Sequence, residues 1–311
     1  MKYNTVKLNE KQFLAVTSLY PDEFELLLDS FTPVCEKYFR YHTLEGLKRK
    51  IVTSKEHGNA RLRGTAQKLF FLLVFLKTNS LQEQHAISFE ISQSKVSRIS
   101  KILLNLLNET LKKMNLAPFR DGELLQKGLA DHPTKVFSYD GLERSIQRNV
   151  CVVAQEEEFS GKKKAHKIKN NLLCDEFQYI YYLSPTELGS VHDKTIADEY
   201  PLILPLNSTL KQDLGFVAHC PNNVTIEIPF KKPKKQELTF SQKIYNKLLS
   251  STRIVVEHSN SGVKRLRIVK DIVRIHDSWF RDTVLSVACA LHNFRTLSVN
   301  ENRKYANSAR V

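Results

Sequence analysis

Asp140, Asp213 and Glu257 are the residues whose types and surroundings offer the most definite chemistry. Asp140 closes a strand-like run, Lys135-Val136-Phe137-Ser138-Tyr139, and Gly141 follows it, so a carboxylate is expected at an open strand edge. Asp213 ends the segment Leu210-Lys211-Gln212 and precedes Leu214-Gly215-Phe216. Glu257 falls in a helical pattern, with Arg253 one turn before it and Lys264 two turns after it. Offsets of four and seven place these three on one helix face. Carboxylates from a sheet and a helix could share two hard cations about 3.5–4 Å apart, one activating an attacking hydroxyl and one stabilising the oxygen that leaves a phosphodiester. Mg²⁺ suits such a set, because it takes a few carboxylates and keeps water and phosphate oxygens as its other ligands. Arg253 and Lys264 would then hold phosphates on either side. Spacing alone does not single out these acids from the 33 in the chain, and an Arg253/Glu257 pair is equally an ordinary helix salt bridge.

Elements able to position such a site lie in the second half of the chain. Up to about Leu125 apolar residues recur at spacings of three and four, a helical texture. From Lys135 the texture changes to strands at 135–139, 168–174 and 179–183, rich in aromatic and branched residues. A helix is expected from about His192 to Leu204, short strands near Leu210 and at 224–228, and helices again from about Phe240. The order is that of an α/β domain with a mixed sheet flanked by helices. The expected division is therefore a helical part, 1–125, and a mixed part, 134–311.

Within the helical part, 81–107 has the layout of a helix-turn-helix. Leu81 to Ile87 forms the first helix, 88–91 the turn, Ser92 the N-cap, and Gln93 to about Leu107 the second helix. On that second helix Val96, Ile99, Leu103 and Leu106 make one apolar stripe, leaving Ser94, Lys95 and Arg98 on a polar face able to meet a major groove. A plain helical hairpin with a solvated face has the same pattern.

Composition is consistent with a polyanionic partner. Lys and Arg total 47 against 33 acidic residues, a formal charge of +14, while 41% of the residues are hydrophobic. A field of that sign attracts nucleic acid or an anionic surface. The longest apolar run, Leu69 to Leu76, is far shorter than the ~20 residues of a membrane span and reads as a buried helix. No membrane association is expected, and the opening residues do not resemble a signal peptide. Five scattered cysteines without a CxxC pair argue against a disulfide framework or zinc site and for a cytoplasmic protein.

Several blocks give these acids a context. They are Ser145-Ile146-Gln147-Arg148-Asn149, Phe159 to Lys169, Gly189-Ser190-Val191-His192-Asp193-Lys194, Asp213-Leu214-Gly215-Phe216 and Pro229 to Lys234. Asn246 followed by Arg253, Glu257 and Lys264, and the closing Leu291-His292-Asn293-Phe294-Arg295, complete the series. In this order the blocks resemble the DDE transposases of insertion sequence family five, bacterial relatives of the PIF/Harbinger superfamily. Asn149 stands where Pro is usual, Phe159 and Phe216 replace Tyr, and Ser250 stands where related families carry Tyr. None of these departures removes an acid.

The resemblance implies an RNase H-like domain preceded by an all-α helix-turn-helix domain, and cleavage and strand transfer with two Mg²⁺ or Mn²⁺ ions. It matches Asp140 to the first acid and Glu257 to the last. Asp213, after the strand that follows the helix, is the favoured second ligand; Asp193 is left as a further metal ligand or as a helix cap. It also implies double-stranded DNA partners, the terminal inverted repeats and the target, and a homodimer or larger assembly on the nucleoid. Lys162, Lys163, Lys164, Lys231 and Lys232, in loops, become candidate DNA contacts beside Arg253 and Lys264; solvated faces are the ordinary alternative. A domesticated descendant that binds DNA without cutting it is the alternative function.

Overall fold

The apolar run Leu69–Leu76 is buried on every side, and the helix that contains it is the axis of an all-helical unit. A computed structural model describes the chain apart from Ser54, Lys55, His57, Asn59, residues 131–134, Lys162, Lys235 and residues 309–311; side chains beyond 298 are also outside the description. The candidate contact Lys162 therefore lies outside the described residues, as does Lys235.

In chain order the first helices are α1 (Tyr3–Val6), α2 (Glu10–Thr17), α3 (Pro21–Tyr41), α4 (Thr65–Thr78), α5 (Gln82–Phe89) and α6 (Gln93–Lys113). Tyr3, Phe13, Phe24 and Phe70 form an aromatic cluster among α1 to α4, with ring centroids 4.9–6.1 Å apart. Interlocked rings of this kind contribute beyond the area they bury. Helices α5 and α6 fall close to the expected helix-turn-helix, with Ser92 in the N-cap position. The second helix runs on to Lys113, past the expected end near Leu107, because Leu107, Thr110 and Leu111 continue its buried stripe.

The mixed part begins with α7 (Gly122–Leu129), then β1 (Val136–Ser145), α8 (Val152–Glu158), β2 (Phe159–Ser160), β3 (Ala165–Asp175), β4 (Ile180–Leu183) and β5 (Glu187–Leu188). Helix α9 (Asp193–Glu199), β6 (Ser208–Lys211), β7 (Val224–Glu227) and α10 (Phe240–Val263) follow. Strand β1 is central. It runs antiparallel to β3 over Phe137 to Ser145 and parallel to β6 over Val136 to Ser138, while β7 extends the sheet in parallel beside β6. The sheet order is β2-β3-β1-β6-β7, with β4 and β5 also paired to β3. Antiparallel strands first, then parallel ones reached through a helix, is the mixed RNase H-like arrangement that the sequence led us to expect. Phe137, Tyr139, Leu173, Leu210 and Phe216 lie in the core under this sheet.

The last helices, α11 (Arg267–Lys270) and α12 (Ser278–Ser308), return to the first unit. One compact unit holds Met1–Ala117, Lys264–Asp271 and Ile275–Val311; the other holds Pro118–Val263 and Ile272–Arg274. This differs from the sequence division, which ended the helical part at 125, inside α7, and placed everything after 134 with the sheet. The reason is packing: α12 lies on α6 and α11 on α4. The motif residue Asn293, fully buried, donates to the Leu116 carbonyl at 2.9 Å, and Arg295 donates to Ser18 Oγ at 2.9 Å.

Candidate active site

Two of the four candidate acids, Asp140 and Asp213, meet beside the middle of β1, and a third, Asp193, lies behind the strand. Asp140 does not end its strand, contrary to expectation: β1 continues to Ser145, and Asp140 pairs with Leu172 of β3. The edge is open only on the other side, because pairing with β6 stops at Ser138. Two residues beyond that point on the parallel neighbour is Asp213, so the two carboxylates emerge side by side from adjacent chains. Several bonds hold Asp213 there. The buried Gln212 donates from its backbone to the Glu227 carbonyl at 2.9 Å, and its side chain lies 2.7 Å from His219 Nδ1. Asp213 itself accepts from the Leu214 amide at 2.6 Å, opening a 3₁₀ turn, Leu214–Phe216, that anchors Phe216 on Tyr139.

Arg253 on α10 faces both acids. Its guanidinium lies 3.8 Å from Asp140 Oδ1 and 3.7 Å from Asp213 Oδ1, too long for direct hydrogen bonds but close enough for a strong field in a partly buried place. Asn260, seven residues on, donates to Asp140 Oδ2 at 3.2 Å. Sequence reasoning missed Asn260, although its offset of seven from Arg253 marks the same face. Glu257 lies between these two residues on that face. It is exposed, and among the described residues it makes no ion pair with Arg253, which faces Asp140 and Asp213 instead. Lys264 follows the last residue of α10 rather than continuing its face, and it belongs to the helical unit.

Asp193 approaches from the opposite side of β1. A side chain on Gly141 would come within 3.1 Å of its carboxylate, and one on Gly215 within 3.4 Å of Oδ2; the two glycines leave the room it occupies. Successive side chains on a strand point to opposite faces, so Asp193 shares the Gly141 face while Asp140 points toward α10. Asp193 is the first residue of α9, whose cap position is His192, and Asn171 fixes that start by donating to the Asp193 carbonyl at 2.8 Å. Its Oδ1, buried without a hydrogen-bond partner, lies 3.6 Å from Lys169 Nζ. Lys169 continues to Glu143 at 3.8 Å, and Glu143 to Lys167 at 2.8 Å, so a chain of alternating charges runs along this face. Lys169 closes one of the blocks that carry the resemblance, but its ion pairs could not be read from the sequence, because its partners come from β1 and α9.

Burial pushes the Asp140 carboxyl up to about 6. Arg253 and the Gly141 backbone oppose that shift, while the negative charges of Asp213 and Asp193 add to it. Burial disfavours an uncompensated negative charge, and neighbouring carboxylates make it worse. The donors are all hard oxygens, the guanidinium stands where a cation balances two of them, and Asn260 Oδ1 is another buried oxygen without a hydrogen-bond partner. This chemistry fits a hard divalent cation. No three His, Cys, Asp or Glu side chains among the described residues stand together as a metal site, however.

The candidate DNA contacts lie elsewhere. Ser94, Lys95 and Arg98 are exposed at the start of α6; Lys95 stands 3.6 Å from Glu45, and Arg98 donates to the Ser94 carbonyl at 3.3 Å. Lys163 and Lys164 are exposed in the β2–β3 turn, where Lys164 takes a left-handed backbone with φ 49°. Lys231 is exposed, and Lys232 forms an ion pair with Glu237.

The family model described as DDE superfamily endonuclease matches residues 139–293, and the helix-turn-helix of DDE superfamily endonuclease matches 60–113; together they cover well over half of the chain. The chain belongs to the DDE superfamily endonucleases that carry this helix-turn-helix. The first match begins one residue before Asp140 and takes in Asp193, Asp213 and Glu257; the second takes in α4, α5 and α6. A probable transposase for insertion sequence element IS702 of Microchaete diplosiphon is 30% identical over 125 residues, 39% of this chain and 44% of that protein. The chain thus matches under half the length of that curated relative. None of the solved structures matches it. No described helix is long and apolar enough to cross a membrane.

Proposed function

We propose that the chain is a DNA transposase that cuts at the ends of a mobile element and transfers the freed strand into target DNA. The observation carrying this reading is the meeting of Asp140 and Asp213 opposite Arg253, with Asp193 behind the same strand. Asp140, Asp213 and Glu257 would hold two Mg²⁺ or Mn²⁺ ions, which supply charge stabilisation to the attacking and leaving oxygens. Glu257 would turn inward from its exposed position between Arg253 and Asn260. Asn260 orients Asp140, and Asp193 stands as a fixed negative charge behind it, a supporting role in preference to that of a ligand or cap. Arg253, once relieved of balancing the acids, can present its two terminal nitrogens to a phosphate.

Around this centre, Lys163, Lys164, Lys231 and Lys232 of the sheet unit contact the DNA backbone. In the helical unit, Ser94 and Arg98 read base edges in the terminal repeats, and Lys95 and Lys264 add phosphate contacts. Backbone contacts of this kind make binding strongly salt-dependent. We place the protein in the cytoplasm on nucleoid DNA, as a homodimer or larger assembly on paired ends.

The test uses duplexes taken from the DNA on either side of the gene, a target plasmid and Mg²⁺. Nicking at the repeat ends followed by joining to the plasmid supports the proposal. Sequence-specific binding without cutting would instead assign a domesticated DNA-binding protein, and cutting without joining a plain nuclease.

A further inference from the structure

The sheet unit carries a second feature that the metal chemistry does not use. Phe230, in the lysine-rich loop before α10, is 47% exposed, and its ring meets Tyr245 of α10 edge-on, with centroids 5.2 Å apart at 66°. An exposed aromatic in a loop is ordinarily free to turn away. Here Asn246 holds it: its side chain donates to the Phe230 carbonyl at 3.0 Å and accepts from the Phe230 amide at 2.8 Å. The two bonds copy a backbone pairing and fix the loop to the helix. Thr239 and Gln242 exchange side chain-to-backbone bonds at 3.0 and 3.2 Å, a capping box that makes the start of α10 equally firm.

The charge around this aromatic pair is one-sided. Lys232 and Lys243 share Glu237, while Lys231, Lys234 and Lys247 are exposed and have no acidic partner among the described residues. Fixed aromatic faces amid uncompensated lysines are the combination that holds single-stranded nucleic acid, the lysines tracking phosphates and the rings stacking bases. Asn246 and Arg253 are seven residues apart on one face of α10, about 10 Å at 1.5 Å per residue. That distance is about three base steps along the axis of duplex DNA, and fewer along an extended unpaired strand.

We propose that Phe230, backed by Tyr245 and clamped by Asn246, stacks an unpaired DNA base a few nucleotides from the phosphate at Arg253. The placement relative to the cut rests on the nuclease reading; the stacking itself does not. The full chain is therefore tested without divalent metal, by fluorescence anisotropy with a labelled oligothymidylate and an abasic strand of the same length. Wild type is expected to bind the thymidylate about tenfold more tightly than the abasic strand. Phe230→Ala abolishes that preference and leaves abasic binding unchanged, Phe230→Trp keeps it, and Asn246→Ala reduces it. Equal binding of the two strands by wild type, or an undiminished preference in Phe230→Ala, overturns the proposal. So does a Phe230→Ala variant that dissociates from dimer to monomer in sedimentation while its thymidylate preference persists, because the face then joins copies of the chain. Loss of cutting in other variants does not bear on this measurement.

Discussion

Helices α6 and α10 are of similar length, 21 and 24 residues, yet they use their faces in opposite ways. Helix α6 buries a continuous stripe, from Val96 through Leu103 to Leu111, and its exposed side carries the polar residues at its start. Helix α10 buries only Leu249, Val256, Ser259 and Val263. It leaves Phe240 79% and Leu248 62% exposed and turns Arg253 and Asn260 toward Asp140. The first helix is held by its core, and its free face is available for binding. The second is a scaffold whose polar stripe forms the candidate site, with little apolar packing to secure it. A stripe of hydrophobic residues therefore locates an element, whereas the candidate site lies on the face such a stripe does not describe.

The sharpest way to break this contrast is to remove one charge beside α10. Asp140→Asn should lower Mg²⁺-dependent strand cleavage by about a thousandfold, the scale seen when a group stabilising developing charge is lost, with duplex binding retained. A cleavage time course on the repeat-end duplex measures it, and unchanged cutting would remove Asp140 from the site. Next in size, Leu103→Ala in α6 should cost about 2–5 kcal/mol in urea unfolding, because a fully buried side chain is replaced by a cavity. Leu248→Ala in α10 should stay within about 0.5 kcal/mol. Similar losses at the two positions would erase the distinction.

A smaller effect separates charge from packing. Burial raises the Asp140 pKa to about 6, so the folded chain holds this proton more tightly than the unfolded chain. The resulting stabilisation is complete below the unfolded value near 4 and is lost as pH rises through about 6. Asp140→Asn should therefore gain about 1–3 kcal/mol over the parent above about pH 7, without metal, and none below about pH 4. Equal stability across the range would show that Arg253 already balances the acid. Smallest of all, Lys95→Ala at the free face of α6 should lower the slope of log affinity against log salt by about one on any duplex. An unchanged slope would take Lys95 off the phosphates.

The sequence made much of this molecule legible, for identifiable reasons. The buried run 69–76, the α5–α6 pair and the strand-forming segments are local patterns, set by spacings of three, four or two residues. The acids were legible as candidates through the blocks around them. What was misjudged was non-local. The extension of β1 through Asp140 depends on the partner β3, which supplies pairing as far as Ser145. The roles of Asn260 and Lys169 depend on elements far away in the chain, as does the place of Asp193 on the Gly141 side of the strand. The closing motif around Asn293 turned out to be packed into the helical unit.

By itself, then, the sequence determined the type of most long elements, the positive charge and the set of acids worth watching. Tertiary structure decided which acids share a face, that Arg253 balances two of them, and that the chain's end belongs with its beginning. The physical reason is that periodicity and capping act over a turn or a strand, whereas burial, charge balance and side-chain direction arise between residues that only folding brings together.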